Sequence, residues 1–376
     1  MSIGRQVAFW VAAFVALGLF LHVLGGAVTP FALGIALGYL LDPIVQRLER
    51  LGLSRLGASI VILFVFVVAF AVILFLFAPI LGGQLVGFTQ KLPNYVVRLQ
   101  ALAVDQGNAL LEKYGGPWRD KLGLNDALSA EQIQKSVGDL VAQGAQWLLN
   151  AMRSLASGGA AVVSFLSFLI VTPVVAFYML LDWDKMLATI DGWLPLDHRD
   201  GLRQIAREIN HALAGFLRGQ SLVCLFLGLW YGIGLSLIGL DFGFLIGVVG
   251  GVLSFIPYVG SLVVLIVSLG VAIVQGWPSW NLFLLALGVV GAGQFLEGNV
   301  LSPKLVGESI GLHPVWLMFA LVAFATLFGF TGLLIAVPMS AAIGVLARHL
   351  IGLYLASPFY QGSRATGAAP RASEEL

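Results

Sequence analysis

Residues 242–296 read FGFLIGVVGGVLSFIPYVGSLVVLIVSLGVAIVQGWPSWNLFLLALGVVGAGQFL, 55 positions without one Asp, Glu, Lys or Arg. A helix needs about 20 apolar residues to cross about 30 Å of hydrocarbon. This stretch is interrupted at Pro257, within Phe255-Ile256-Pro257-Tyr258-Val259-Gly260, and again at Gly276-Trp277-Pro278. The pieces, roughly 15 residues each, fall short of a full crossing. Short apolar pieces broken at Pro and Gly are how re-entrant or discontinuous membrane helices read in a sequence. Backbone opened at membrane depth is tolerated only where it is buried in protein or lines a wet cavity. The stretch therefore predicts an all-α, polytopic membrane protein with a re-entrant or broken helix pair near 242–275.

The flanking sequence agrees. Charge is also absent from 6–41, 56–90, 154–181, 219–240 and 309–347. The stretches 56–90, 154–181 and 219–240 hold one helix each. The stretches 6–41 and 309–347 hold two, divided at Gly25-Gly26 and near Gly329. Of the 376 residues, 59% are hydrophobic and 10% charged, against about 45–50% and about 25% in soluble domains. A larger soluble core would not remove surface charge in this way. The net charge of +1 gives no basis for a nucleic-acid partner. The single cysteine, Cys224, excludes an intrachain disulfide and a cysteine metal cluster. Arg5 followed by an apolar run resembles a signal peptide, but 27–41 follows at once and an uncleaved hairpin is expected.

Basic residues set the orientation. Arg47, Arg50 and Arg55 lie in one polar segment, and Lys185, Arg199, Arg203, Arg207 and Arg218 in another. The positive-inside rule places both segments and both termini on the cytoplasmic side, here of a cell inner membrane. Four regions follow: three spans in 1–81, a periplasmic-side helical insertion over 82–153, a transport core over 154–355 and a disordered cytoplasmic tail over 356–376. The core carries a cytoplasmic amphipathic segment at 182–211. The insertion has a capping box at Ser129 and Gln132, then Ile133, Val137, Leu140, Val141 and Leu148 at helical spacing. Gly115-Gly116-Pro117 separates that helix from one near 94–113. Trp193, Trp230, Trp277, Trp280 and Trp316 lie near span ends, as an aromatic belt requires.

Enzyme motifs give little. Gly307-Glu308-Ser309-Ile310-Gly311 fits the nucleophile elbow, but that motif needs a strand-turn-helix context. No Walker A, H-E-x-x-H or dinucleotide fingerprint occurs, so neither an enzyme, a metal nor a cofactor is expected. Gly243, Gly247 and Gly251, with Gly34/Gly38 and Gly228/Gly232, carry the spacing that lets helix backbones approach. Approach of a substrate is the other use of such a face. Gly251 to Pro257 and Gly332 to Pro338 share the pattern G-x-L-x-x-[IV]-P, a short internal echo.

The polar residues with chemical potential cluster between apolar stretches: Gln294, Glu297, Asn299, Ser302, Pro303, Lys304 and Glu308, leading into His313-Pro314. Glu297 and Lys304 either face cytoplasmic water or build a site for a polar solute or a proton. Ionisable groups at membrane depth are expensive unless paired or wet, and a carboxyl drawn into apolar surroundings holds its proton more tightly. Asp241 stands alone between two apolar stretches, as a helix-starting acid or a coupling group. Arg218 is expected to snorkel to the interface, His313 to make a structural hydrogen bond or titrate near neutral pH, and Asp182-Trp183-Asp184 to cap a following helix. The candidate translocation residues are Pro257, Tyr258, Gly260, Gln294, Glu297, Asn299, Pro303, His313 and Pro314, with Glu297 and Asp241 for coupling.

These motifs carry a resemblance. The runs Phe255–Ser261, Gln294–Pro303, Gly311–Pro314, Gly329–Gly332, Ala336–Pro338 and Phe216–Gln220 resemble the AI-2E (autoinducer-2 exporter) family, also called PerM-like permeases. The resemblance implies about eight spans, which the apolar stretches reach if 242–275 holds a re-entrant hairpin. It also implies export of a small polar solute, autoinducer-2 being the named example, while some members are similar to sodium/proton antiporters. A lipid-handling or scaffold membrane protein is a third reading. The expected partners are a small polar solute, protons or sodium ions, the bilayer and further copies of the chain.

Overall fold

The computed structural model describes residues 25–114, 143, 159–196, 199–306, 313–357 and 360. Every element among them is helical: α1 (Gly25–Arg50), α2 (Arg55–Tyr114), α3 (Gly159–Gly192), α4 (Arg199–Leu237), α5 (Gly243–Leu253), α6 (Val259–Gly276), α7 (Asn281–Leu296), a π-helical stretch (Glu297–Val306) and α8 (Pro314–Ala356). Among the described residues six helices are long and apolar enough to cross a membrane: Val28–Arg50, Arg55–Leu99, Arg199–Leu237, Val259–Gly276, Asn281–Val306 and Pro314–Ala356. The chain divides into two compact units. One comprises 1–59, 174–220 and 303–376, and the other 60–173 and 221–302.

The broken stretch of the sequence folds largely as its punctuation dictates. α5 has 11 residues and ends at Leu253, and Ser254–Tyr258 turn the chain into α6. At 1.5 Å per residue α5 is about 17 Å long, too short to cross. α6, with 18 residues, is long enough. The turn is held by Tyr258 at φ 68°, a left-handed conformation that non-glycine residues seldom adopt. α5 and α6 pack on each other, and α7 packs on α6.

Two of the expected pieces prove longer than the sequence implied. Glu297 does not end α7, because the helix widens into π turns and continues to Val306, giving a 26-residue span. α2 likewise runs unbroken through Pro79 and Pro93 to Tyr114, so the helix expected near 94–113 is its continuation. The segment 182–211 is shared between two helices: α3 runs to Gly192 and α4 starts at Arg199. Asp182-Trp183-Asp184 therefore lies inside α3 and caps nothing. Residues 6–24, the capping box at Ser129 and Gln132, the nucleophile-elbow match and the last 16 residues lie outside the described residues.

In the first unit, α8 packs on α1, and the Thr29 and Thr331 hydroxyls meet at 2.7 Å. Val45, Ala58, Ala176, Leu180, Phe216, Ala336 and Ala341 are buried. α8 is kinked at Gly329, whose φ 59°, ψ −138° is open to glycine alone. The kink turns the chain so sharply that Gly332 lies against the Phe324 carbonyl. A straight helix would hold those residues about 12 Å apart. The internal echo thus has no common geometry: Pro257 sits in a turn, whereas Pro338 sits within α8.

In the second unit, α4 and α5 touch backbone to backbone. A Cβ on Gly243 would meet Leu235, one on Gly247 would meet Gly232, and one on Gly251 would meet Gly228. The four-residue glycine spacing is helix packing in its closest form. Elsewhere α2 turns apolar side chains outward: Phe64, Val65, Val72, Ile73, Phe75 and Leu76 are all exposed. A run of this kind needs a lipid solvent.

Candidate functional site

The residues Gln294, Glu297 and Tyr231 form one hydrogen-bonded group in the second unit. Tyr231, on α4, is fully buried because its ring lies over Gly293, where any side chain would collide with it. The Gln294 amide Nε2 donates to the Tyr231 hydroxyl at 3.0 Å and to Glu297 Oε2 at 3.2 Å. The glutamine stands one helical turn before the glutamate, so the i, i+3 spacing brings the two together. Glu297 opens the π-helical stretch and is half-buried within a span. A π turn carries an i→i+5 hydrogen-bond pattern, and such turns recur at functional positions. The arrangement places a carboxylate, an amide and a phenol on an otherwise apolar helix pair.

Asn299 turns away from this group and donates to the Phe295 carbonyl at 3.0 Å on its own helix. Pro257 and Tyr258 occupy the α5–α6 turn, and Gly260 is buried against Ser254, where no Cβ fits. Pro303, His313 and Pro314 belong to the other compact unit. There Pro314 takes the first turn of α8 and His313 Nδ1 accepts the Val315 N–H at 3.3 Å, which makes His313 a helix cap. The predicted residues are thus held in several places by different partners.

Asp241 has its own setting. Its carboxylate accepts from Lys91 Nζ at 2.9 Å and from the Tyr95 hydroxyl at 2.8 Å, and its backbone N–H donates to Gln275 Oε1 at 2.8 Å. Burial pushes the carboxyl up, but the hydrogen bonds from Lys91 and Tyr95 outweigh it and hold the group below the usual carboxylate range. Next to it, Phe242 at φ 60° packs on Phe88 and Tyr95, with Lys91 Nζ 5.5 Å from the ring centre. Gln84 Oε1 accepts the Leu245 N–H at 2.8 Å. Gln84, Phe88, Lys91 and Tyr95 are spaced as one stripe of α2, and that stripe grips the start of α5. The helical periodicity of the stripe was available in the sequence, but its target 150 residues away was not.

Arg218 does not snorkel freely: its Nε donates to the Tyr39 carbonyl at 3.2 Å. No group of three or more metal-ligating side chains occurs among the described residues.

Helices of this length and apolarity, with a broken helix pair and a carboxylate inside a span, define a polytopic membrane protein of the transport class. Residues 9–352 match the family described as AI-2E family transporter, and the chain belongs to that family. It is 28% identical over 322 residues to YrrI of Bacillus subtilis (strain 168), whose name is that of a transport protein, covering 86% of each chain. It is 29% identical over 323 residues to PerM of Escherichia coli (strain K12), whose name is that of a permease, covering 85% of this chain and 86% of PerM. YueF of Bacillus subtilis (strain 168), also named as a transport protein, is 27% identical over 330 residues, covering 86% of this chain and 84% of YueF.

Proposed function

We propose that the chain is a secondary transporter that exports a small polar solute, an autoinducer-2-like molecule being the cargo that the family name suggests, with Glu297 as the coupling acid. The observation that carries this is the Tyr231–Gln294–Glu297 group: a half-buried carboxylate inside a span, tied by an amide to a buried phenol. An ionisable group in that position is costly, and function is the ordinary reason to keep one. A polar solute crossing the bilayer needs donors and acceptors that lipid lacks, and the amide and phenol supply them. Proton or cation uptake at Glu297 would change its hydrogen bond to Gln294 and so alter what the solute meets. Pro257, Tyr258, Gly260, Asn299, Pro303, His313 and Pro314 remain candidates for the path. Asp241, ionised and anchored, would act by binding a cation.

In this reading the protein sits in the cell inner membrane with both termini cytoplasmic and works as a homo-oligomer. Residues 82–153 form an extramembrane insertion, and 154–355 hold the transport core. A sodium/proton antiporter is the competing function, since the same carboxylate could exchange ions without a solute. Proteoliposomes separate the two. Solute accumulation under an imposed proton or sodium gradient supports the exporter. Sodium-driven proton flux with no solute movement supports the antiporter and removes the exporter.

A further inference from the structure

A cavity of about 230 Å³ lies wholly within the first compact unit, and neither the motifs nor the coupling group accounts for it. Three helices build it. α1 contributes Tyr39, Asp42 and Gln46, α3 contributes Trp183 and Asp184, and α4 contributes Asn210 and Arg218. On α3 the lining row is Met179, Trp183 and Leu187 with Asp184 beside it, and on α4 Ala214 stands between Asn210 and Arg218, so regular helix faces frame the cavity.

Its walls differ in charge. On one side Arg55 serves three carboxylates, Asp42 at 3.1 Å, Glu49 at 3.0 Å and Asp184 at 3.6 Å. One guanidinium cannot balance three acids, and two of them, Asp42 and Asp184, line the cavity. The Trp183 ring stands edge-on to Tyr39 at 5.6 Å, so aromatic surface adjoins the acids. Carboxylate beside an aromatic ring is the setting in which ammonium groups are held. On the α4 side stand the Arg218 guanidinium, anchored through Nε to the Tyr39 carbonyl, and Asn210, whose Oδ1 accepts the Tyr39 hydroxyl at 2.9 Å. Asn210 has its amide nitrogen as a donor beyond that bond. Guanidinium and amide donors suit a carboxylate.

We propose that this cavity binds a small zwitterion, with its ammonium toward Asp42, Asp184 and Trp183 and its carboxylate toward Arg218 and Asn210. The site shares no residue with the Glu297 group, and its occupancy can be read without any transport taking place.

The test is equilibrium binding to the full chain in lipid nanodiscs, with serine, ethanolamine and lactate as probes of similar size. Serine carries both charges, ethanolamine only the ammonium and lactate only the carboxylate. Serine should bind saturably and at least about tenfold more tightly than either half-probe, since one charged hydrogen bond is worth about that factor. Arg218→Gln should reduce serine to the level of ethanolamine. Asp184→Asn should move it toward lactate, and because the Asp184 side chain is 76% exposed, this variant keeps the fold. A matching size-exclusion profile for both variants confirms assembly. No saturable binding, equal binding of serine and either half-probe, or serine binding unchanged in both variants overturns the proposal. Binding by a chain that accumulates no solute under an ion gradient would leave this site standing while removing the exporter proposed above.

Discussion

Gln84 on α2 caps α5 from outside: its side-chain oxygen accepts the Leu245 N–H at 2.8 Å. The residue that precedes α5, Phe242, offers no capping group, so one of the N–H groups left open at a helix start is closed by a different helix. Gln84→Ala should therefore cost about 1–2 kcal/mol, the penalty of an uncapped buried N–H. A lowered unfolding midpoint in detergent checks this. Gln84→Glu, which keeps an acceptor at the same position, should recover most of the loss.

Glu297→Gln tests coupling directly. The substitution keeps the shape and the contact with Gln294 but removes the titrating carboxyl. Accumulation of solute against a gradient should disappear, while the variant inserts and assembles normally. Unaltered uphill transport would refute the coupling role.

The glycine contacts between α4 and α5 predict a steep local difference. A Cβ at Gly251 would lie 2.6 Å from Gly228 N and 2.9 Å from Cys224 O, both backbone atoms that cannot give way. Gly251→Ala should lower stability by more than about 2 kcal/mol. Gly288, in α7, has open space around it, and Gly288→Ala should raise stability by about 0.5–1 kcal/mol through helix propensity. Thermal unfolding of the two variants side by side checks the sign of each.

Asp241 predicts a pH dependence. Its folded-state carboxyl titrates lower than an unfolded aspartate, whose ordinary value is about 3.9. The stability it contributes is complete above that value and is lost as pH falls through the lower folded value. Asp241→Asn should thus be less stable than the parent by a constant margin between about pH 6 and pH 8. The margin should shrink only below about pH 4. A margin that varied across neutral pH would show that another group dominates.

Much of the fold could be read from single residues. Pro257 marked the α5–α6 turn and Gly329 marked the kink in α8, because each imposes a backbone constraint that does not depend on its neighbours. Charge was a poorer guide to helix ends. Glu297 and the pair Asp182 and Asp184 looked like boundaries, yet each lies inside a continuing helix. A carboxylate does not by itself end a helix, and these three are also partnered. Glu297 finds Gln294, Asp182 finds Lys185 and Asp184 finds Arg55. The cavity at Tyr39, Trp183 and Arg218 was not legible because its residues come from three segments with no shared motif. Gln294 and Glu297 were found because they are neighbours in sequence, whereas Tyr231, 63 positions earlier, was supplied by packing over Gly293.

The contact between α4 and α5 also has a mechanical consequence. With no side chains between them at three successive turns, the two backbones mesh like the teeth of a ratchet. Neither helix can slide or roll on the other without first separating from it. Any movement of the α5–α6 turn must therefore carry the adjoining part of α4 with it, Tyr231 included. A change in the hydrogen bond that Gln294 makes to Tyr231 would then act on a rigid lever, not on a lone side chain.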